Sequence, residues 1–159
     1  MRDGDIRVKT EAKYKELYKD VKEHGAITDS HELFFACACI GFARGQRKPL
    51  ERPDERFWSN TISATEWSCY YAMMMQLSEF DLSVLVDDKE VMAVMQEYSN
   101  AGLELFIEDF LGSYMLRRAD GGEPQLDPSC AKTLPKDFLY YILEQSGANS
   151  WEAFQERYS

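Results

Sequence analysis

Leu33-Phe34-Phe35-Ala36-Cys37-Ala38-Cys39-Ile40-Gly41-Phe42-Ala43 is the stretch on which the reading of the fold turns. It contains no charged residue and is apolar on every face, so a helix made of it has to be buried. Asp29-Ser30-His31-Glu32 precedes it. Asp29 can cap the helix, and Glu32 sits where a capping-box carboxylate reaches back. Small residues at 36–39 and at 41 let neighbouring helices come close. Arg44-Gly45-Gln46-Arg47-Lys48-Pro49 then ends the helix: Gly45 supplies the C-terminal turn and Pro49 bars re-entry. Residues 33–43 are therefore expected to be the central and most buried segment.

Working outward, residues 9–23 place Tyr14, Leu17, Tyr18 and Val21 on one stripe, which predicts a first amphipathic helix ended by Gly25. Residues 50–62 read as a polar connection around Pro53, Phe57 and Trp58. Ser63 followed by Glu66 opens a third helix carrying Trp67, Tyr70, Tyr71, Met73, Met74 and Met75. The short apolar piece at 80–86 reads as extended or loosely helical. Asp87, with Glu90 three residues on, caps a fourth helix. Ser99-Asn100-Ala101-Gly102 is expected to bend or break it, with residues 103–115 continuing as a fifth. Residues 116–134 look irregular, and Pro135 suits the first turn of a sixth helix ended by Gly147. Asn149 can open a final short helix around Trp151 and Phe154. No stretch shows sustained period-2 alternation between hairpin turns. The expected fold is all-α: one domain over residues 1–159, an orthogonal bundle of about six to seven helices, with a loose N-terminus at 1–8.

Composition narrows the class. Hydrophobic residues make up 45% of the chain and aromatics 13%, enough for a core. The first twenty residues are charged throughout and lack the apolar region of a signal peptide, and no apolar run reaches the about 20 residues a membrane span needs. A cytoplasmic protein is expected, with Cys37, Cys39, Cys69 and Cys130 as reduced thiols. The net charge of −10 is unevenly spread. Residues 1–52 hold 11 Lys/Arg against 9 Asp/Glu, whereas residues 80–129 hold 3 against 11. Such an acidic chain is poorly suited to be the main grip on DNA, because that affinity comes largely from neutralised phosphates.

No phosphate loop, dinucleotide fingerprint, nucleophile elbow or zinc-protease motif occurs, so no catalytic residue, metal site or cofactor is assigned and the protein is not expected to be an enzyme. His24 and His31 read as surface or capping residues. Glu104 and Glu108 share a helix face and could in principle hold a hard cation, but a solvated acidic face is the simpler reading. The methionines read chiefly as core filler, with a partner surface as the second reading. The most specific feature is the basic turn: Arg44, Gln46, Arg47, Lys48 and, past Pro49, Arg52. Four cations in nine residues exceed what complementing a helix dipole requires. These residues are the candidate partner-binding site. The alternative is a small helical DNA-binding regulator using the same turn at 44–52.

Two stretches carry a resemblance. Residues 32–50, from Glu32 through the apolar helix to Gly41-Phe42-Ala43-Arg44-Gly45-Gln46-Arg47-Lys48-Pro49-Leu50, form one. Glu97-Tyr98-Ser99-Asn100-Ala101-Gly102-Leu103-Glu104 is the other. Together they resemble the fourth associated protein of DNA phosphorothioation (Dnd) systems, over roughly residues 9–115. There an apolar helix similarly ends in a Gly-Phe-x-x-Gly-x-Arg-x-Pro-like turn, and a Tyr-Ala-Asn-Gly-Gly-Leu-Glu-like segment follows. This chain departs from that pattern at Ser99 and Ala101. Its size and helix-then-turn pattern are also similar to small subunits of SMC-type, Lamassu-like anti-phage systems. Both resemblances imply a non-catalytic accessory subunit of a bacterial defence complex. Its partners would hold the ATPase and nuclease, and DNA would be contacted through them. Neither implies catalytic residues.

Overall fold

Arg7-Val8-Lys9-Thr10-Glu11 buries Val8, Thr10 and Glu11, leaves Lys9 exposed, and forms a strand, β1 (Arg7–Glu11), in the computed structural model, which describes residues 5–85, 87–116 and 121–145. A 3-10 turn leads into α1 (Lys15–Glu23), whose Leu17, Tyr18 and Val21 face the core. α2 (Ser30–Ala43) follows, and the basic turn delivers the chain to β2 (Pro53–Trp58). β2 lies antiparallel to β1, pairing Phe57 with Val8 and Asp54 with Thr10, with a bulge between Val8 and Lys9. α3 (Ala64–Leu77) comes next, then a short 3-10 segment, the long α4 (Asp88–Asp109) and, after a mostly irregular stretch, α5 (Leu134–Gln145).

α2 and α4 form the most extensive contact, with β1 laid on α4. Their crossing is a backbone-to-backbone approach. A Cβ built on Gly102 would sit 1.7 Å from the Cys37 carbonyl oxygen, and one on Gly41 would sit 2.1 Å from that of Tyr98. Only glycine fits at either point. Around this crossing, Phe34 meets Phe57 and Tyr70 edge-on. Phe106, Phe110, Phe138 and Tyr141 join α4 to α5. Met73, Met74, Met92 and Met95 are buried core residues.

The fold is mostly helical, as expected, with corrections. It is not all-α, since the pattern at 7–11 makes a strand where a helix from Lys9 was expected, and residues 53–58 make its partner. The strand begins inside the segment expected to be loose, and Val8 is fully buried. Five α-helices stand among the described residues, rather than six to seven. α4 runs unbroken through Ser99-Asn100-Ala101-Gly102 to Asp109, and a 3-10 turn follows at Leu111–Tyr114. The breaker-like residues are there because neighbouring backbones require them. The Ser99 hydroxyl donates to the Phe34 carbonyl at 3.1 Å, and Gly102 clears the Cys37 carbonyl. The most buried run is residues 98–103, all of them buried, not 33–43. On α2 only Leu33, Phe34, Cys37, Ala38 and Gly41 are buried, and Phe35, Cys39, Ile40 and Phe42 are half-buried. Gly147, Asn149, Trp151 and Phe154 lie outside the described residues.

Two of the three expected capping signals formed where the spacing placed them. Ser63 and Glu66 make a complete capping box on α3, and Asp87 accepts from the Lys89 N–H at the start of α4. Asp29 occupies the N-cap of α2 without a side-chain cap bond. Its carboxylate lies 3.7 Å from Lys22, while Glu32 accepts from the Thr28 N–H.

Candidate functional site

The basic turn leaves α2 through a tight wrap. The Gly45 N–H donates to the Phe42 carbonyl and that of Gln46 to Gly41, with Gly45 at φ +63° in open space. A left-handed residue closing the helix is what glycine supplies cheaply. The main chain is then fastened at two further places. The Lys48 N–H donates to the Glu97 carbonyl at 3.1 Å, and the Asn100 side-chain amide donates to the carbonyls of Lys48 (3.2 Å) and Pro49 (3.3 Å). The largely buried Glu11 carboxylate accepts from the N–H groups of Glu51 and Arg52. Sheet, turn and α4 are thereby tied together.

The side chains of the turn divide into two groups. Arg44 pairs with Asp109, Arg47 with Glu97 at 3.1 Å, and Lys48 with Glu104 at 2.5 Å. Arg47 also lies over the Tyr98 ring, 5.6 Å from its centroid. Hydrogen bonding to Glu97 raises the Arg47 pKa, and bonding to Glu104 raises that of Lys48. The positive and negative halves of the sequence thus meet here and neutralise each other. Gln46 and Arg52 are exposed and have no side-chain partner among the described residues.

The structure brings all five candidate residues onto one surface turn, but as a clasped element rather than a free cationic patch. Sequence reasoning missed the other half of the clasp: Glu97, Glu104, Asp109, Asn100 and Glu11. One signal was available, since Glu97 and Glu104 are seven residues apart and so share a helix face. Glu104, read as one of a possible cation pair with Glu108, is engaged with Lys48, and Glu108 is exposed.

The histidines are structural ties. His31 Nδ1 lies 2.9 Å from Glu66, whose other oxygen caps α3, so the imidazole joins the N-termini of α2 and α3. His24 Nε2 lies 3.3 Å from the Asp127 carbonyl. None of the four cysteines is disulfide-bonded; burial raises the Cys37 thiol and pushes that of Cys39 up to about 11. Among the described residues no group of three or more His, Cys, Asp or Glu side chains could hold a metal ion, and no helix is long and apolar enough to cross a membrane.

What emerges is a small, mostly helical protein that presents a backbone-locked turn of mixed charge. The family model described as DNA sulphur modification system-associated protein 4 matches residues 7–118, more than half of the chain, and the chain belongs to that family. No curated protein and no solved structure matches it. The family is one associated with a DNA modification system, which agrees with the Dnd resemblance.

Proposed function

We propose that this protein is a non-catalytic accessory subunit that docks onto other subunits of a DNA sulphur modification system. In this reading the complex serves anti-phage defence, its partners supply ATPase (SMC-like) and/or nuclease functions, and DNA is reached through them. The observation that carries the reading is a convergence. The two stretches that bear the resemblance, residues 32–50 and 97–104, meet at one place, the α2–α4 crossing and the turn it holds. What they build there is a fixed surface element. A preordered turn loses little entropy on binding, which suits recognition of a folded partner. The paired cations weaken the DNA-regulator reading, because phosphates would have to displace Asp109, Glu97 and Glu104.

The test is co-purification with the other subunits of its modification system, using wild type and a Gln46→Ala/Arg52→Glu variant. These two side chains support no contact among the described residues, so the variant should melt like wild type and retain far less partner. If nothing co-purifies, and the isolated wild type binds duplex DNA with a steep salt dependence, the accessory reading fails and the regulator takes its place.

A further inference from the structure

An open cleft of about 560 Å³ lies where the C-terminal end of α4 meets α5. Phe110, Tyr114, Tyr140 and Tyr141 give it aromatic walls, and Asp109, Asp137 and Glu144 give it carboxylates. Arg44 at the rim answers Asp109. Asp137 accepts a hydrogen bond from the Tyr114 hydroxyl at 2.8 Å, and Glu144 has no cation partner among the described residues. The cleft therefore carries a surplus of about two negative charges, from three carboxylates against one guanidinium, next to π faces. A second observation points the same way. Tyr141 is 7% exposed, stacks on Phe110 at 4.9 Å, and buries a hydroxyl that has no hydrogen-bond partner. A buried hydroxyl left without a partner is costly, and this one belongs to a residue of the cleft wall.

We infer that this cleft receives a cationic side chain, an arginine above all, from a partner protein. Arginine fits the chemistry on the page: its planar guanidinium stacks on aromatic rings while its N–H groups reach carboxylates and a phenolic oxygen. Burial and the neighbouring Asp137 push the Tyr114 hydroxyl up to about 12, so it stays a donor to Asp137 and that carboxylate stays available as an acceptor. Nucleic acid is excluded by the sign of the charge. A protein segment is favoured over a free cation by Tyr140, a ring of the cleft wall that is 59% exposed and gives an apolar surface a bare ion cannot use. The identity of that partner rests on the accessory-subunit reading, whereas the chemistry of the cleft does not. Its α5 wall lies beyond residue 118, where the family match ends.

The probe is the capped tripeptide acetyl-Ala-Arg-Leu-amide, titrated into the full isotope-labelled chain and followed by backbone amide shifts. The controls are the same peptide with citrulline in place of arginine, and spermidine. Shifts should cluster at residues 109–114 and 137–144, citrulline should bind at least tenfold more weakly, and Asp137→Asn/Glu144→Gln should abolish the effect. Tyr141→Phe should melt higher than wild type yet bind the arginine peptide several-fold more weakly. That opposite movement is one a merely structural tyrosine would not give. Equal binding of citrulline, or shifts scattered over the surface, would overturn the site, and spermidine binding as tightly as the peptide would overturn the protein source. In co-purification with the system's subunits, loss of partner in Asp137→Asn/Glu144→Gln supports the inference. Wild-type levels of partner in that variant would sink the cleft's role while leaving the accessory reading standing. Capture of no partner by either chain would sink the accessory reading, and with it the partner assignment, while the peptide titration decides the cleft's chemistry.

Discussion

Residues 33–43 and residues 98–103 invert the usual relation between composition and burial. The first stretch is apolar throughout, yet Phe35, Cys39, Ile40 and Phe42 are only half-buried and Ala43 is exposed. The second contains a serine, an asparagine and a glycine, and every residue in it is buried. Hydrophobicity sets how much a residue gains by leaving water. The crossing of two main chains sets which residues can occupy the innermost place. At 98–103 that place requires the absence of a side chain at Gly102 and polar groups that answer carbonyls at Ser99 and Asn100.

The largest effect sharpens the comparison within α2 itself. Phe34 is fully buried against Phe57 and Tyr70, so Phe34→Ala should cost about 3–5 kcal/mol in urea unfolding. Half-buried Phe35→Ala should cost less than half as much, and equal losses would mean that the two faces of α2 are equivalent. Gly102→Ala tests the other stretch. Helix propensity favours alanine by about 1 kcal/mol, yet its Cβ would collide with the Cys37 carbonyl, and a net loss of about 3 kcal/mol is expected. A variant as stable as wild type would show that the crossing is looser than described. Asn100→Ala should cost about 1–3 kcal/mol, because the carbonyls of Lys48 and Pro49 lose their donor. It should also speed amide exchange in the turn more than elsewhere. The ion pairs come last. Arg44, Arg47 and Lys48 are each about two-fifths exposed, so replacing any one by alanine should change stability by about 1 kcal/mol or less, and least at high salt.

The core around the two stretches also predicts a pH response. Burial raises Tyr18, beneath α2 and α4, together with Tyr14 and Tyr70. Their unfolded counterparts ionise near pH 10. The stabilisation from keeping them protonated is complete below that pH and is lost as pH rises above it toward the folded values. Melting temperature should therefore fall steeply above about pH 10, and a flat profile to pH 11 would contradict the burial of these hydroxyls.

Much of the local structure was legible in the sequence. α2 and its terminating turn, the capping box at Ser63 and Glu66, and the cap at Asp87 each depend on residues within a few positions of one another. What was illegible depends on distant partners. β1 looked like a helix start because its pairing partner lies more than forty residues away. The 99–102 segment looked like a break because its reasons for being polar or small sit on α2 and the basic turn. The five turn residues were found as a cluster, but their state was not. The carboxylates that hold Arg44, Arg47 and Lys48 are 50 to 65 positions further along.

The fastening of the N-terminal strand has a consequence for how the protein is made. Lys9 donates its N–H to the Gln96 side chain, 87 residues later, and Glu11 holds the main chain at Glu51 and Arg52. A ribosome moving at about 5–20 residues per second takes on the order of 4–17 s to travel from one partner of the first bond to the other. Through that interval the first strand waits without its helix, and the basic turn waits without the acids that neutralise it. Residues 7–11 thus emerge well before the partner that secures them, and the nascent chain shows its positive half alone before the negative half arrives to cover it.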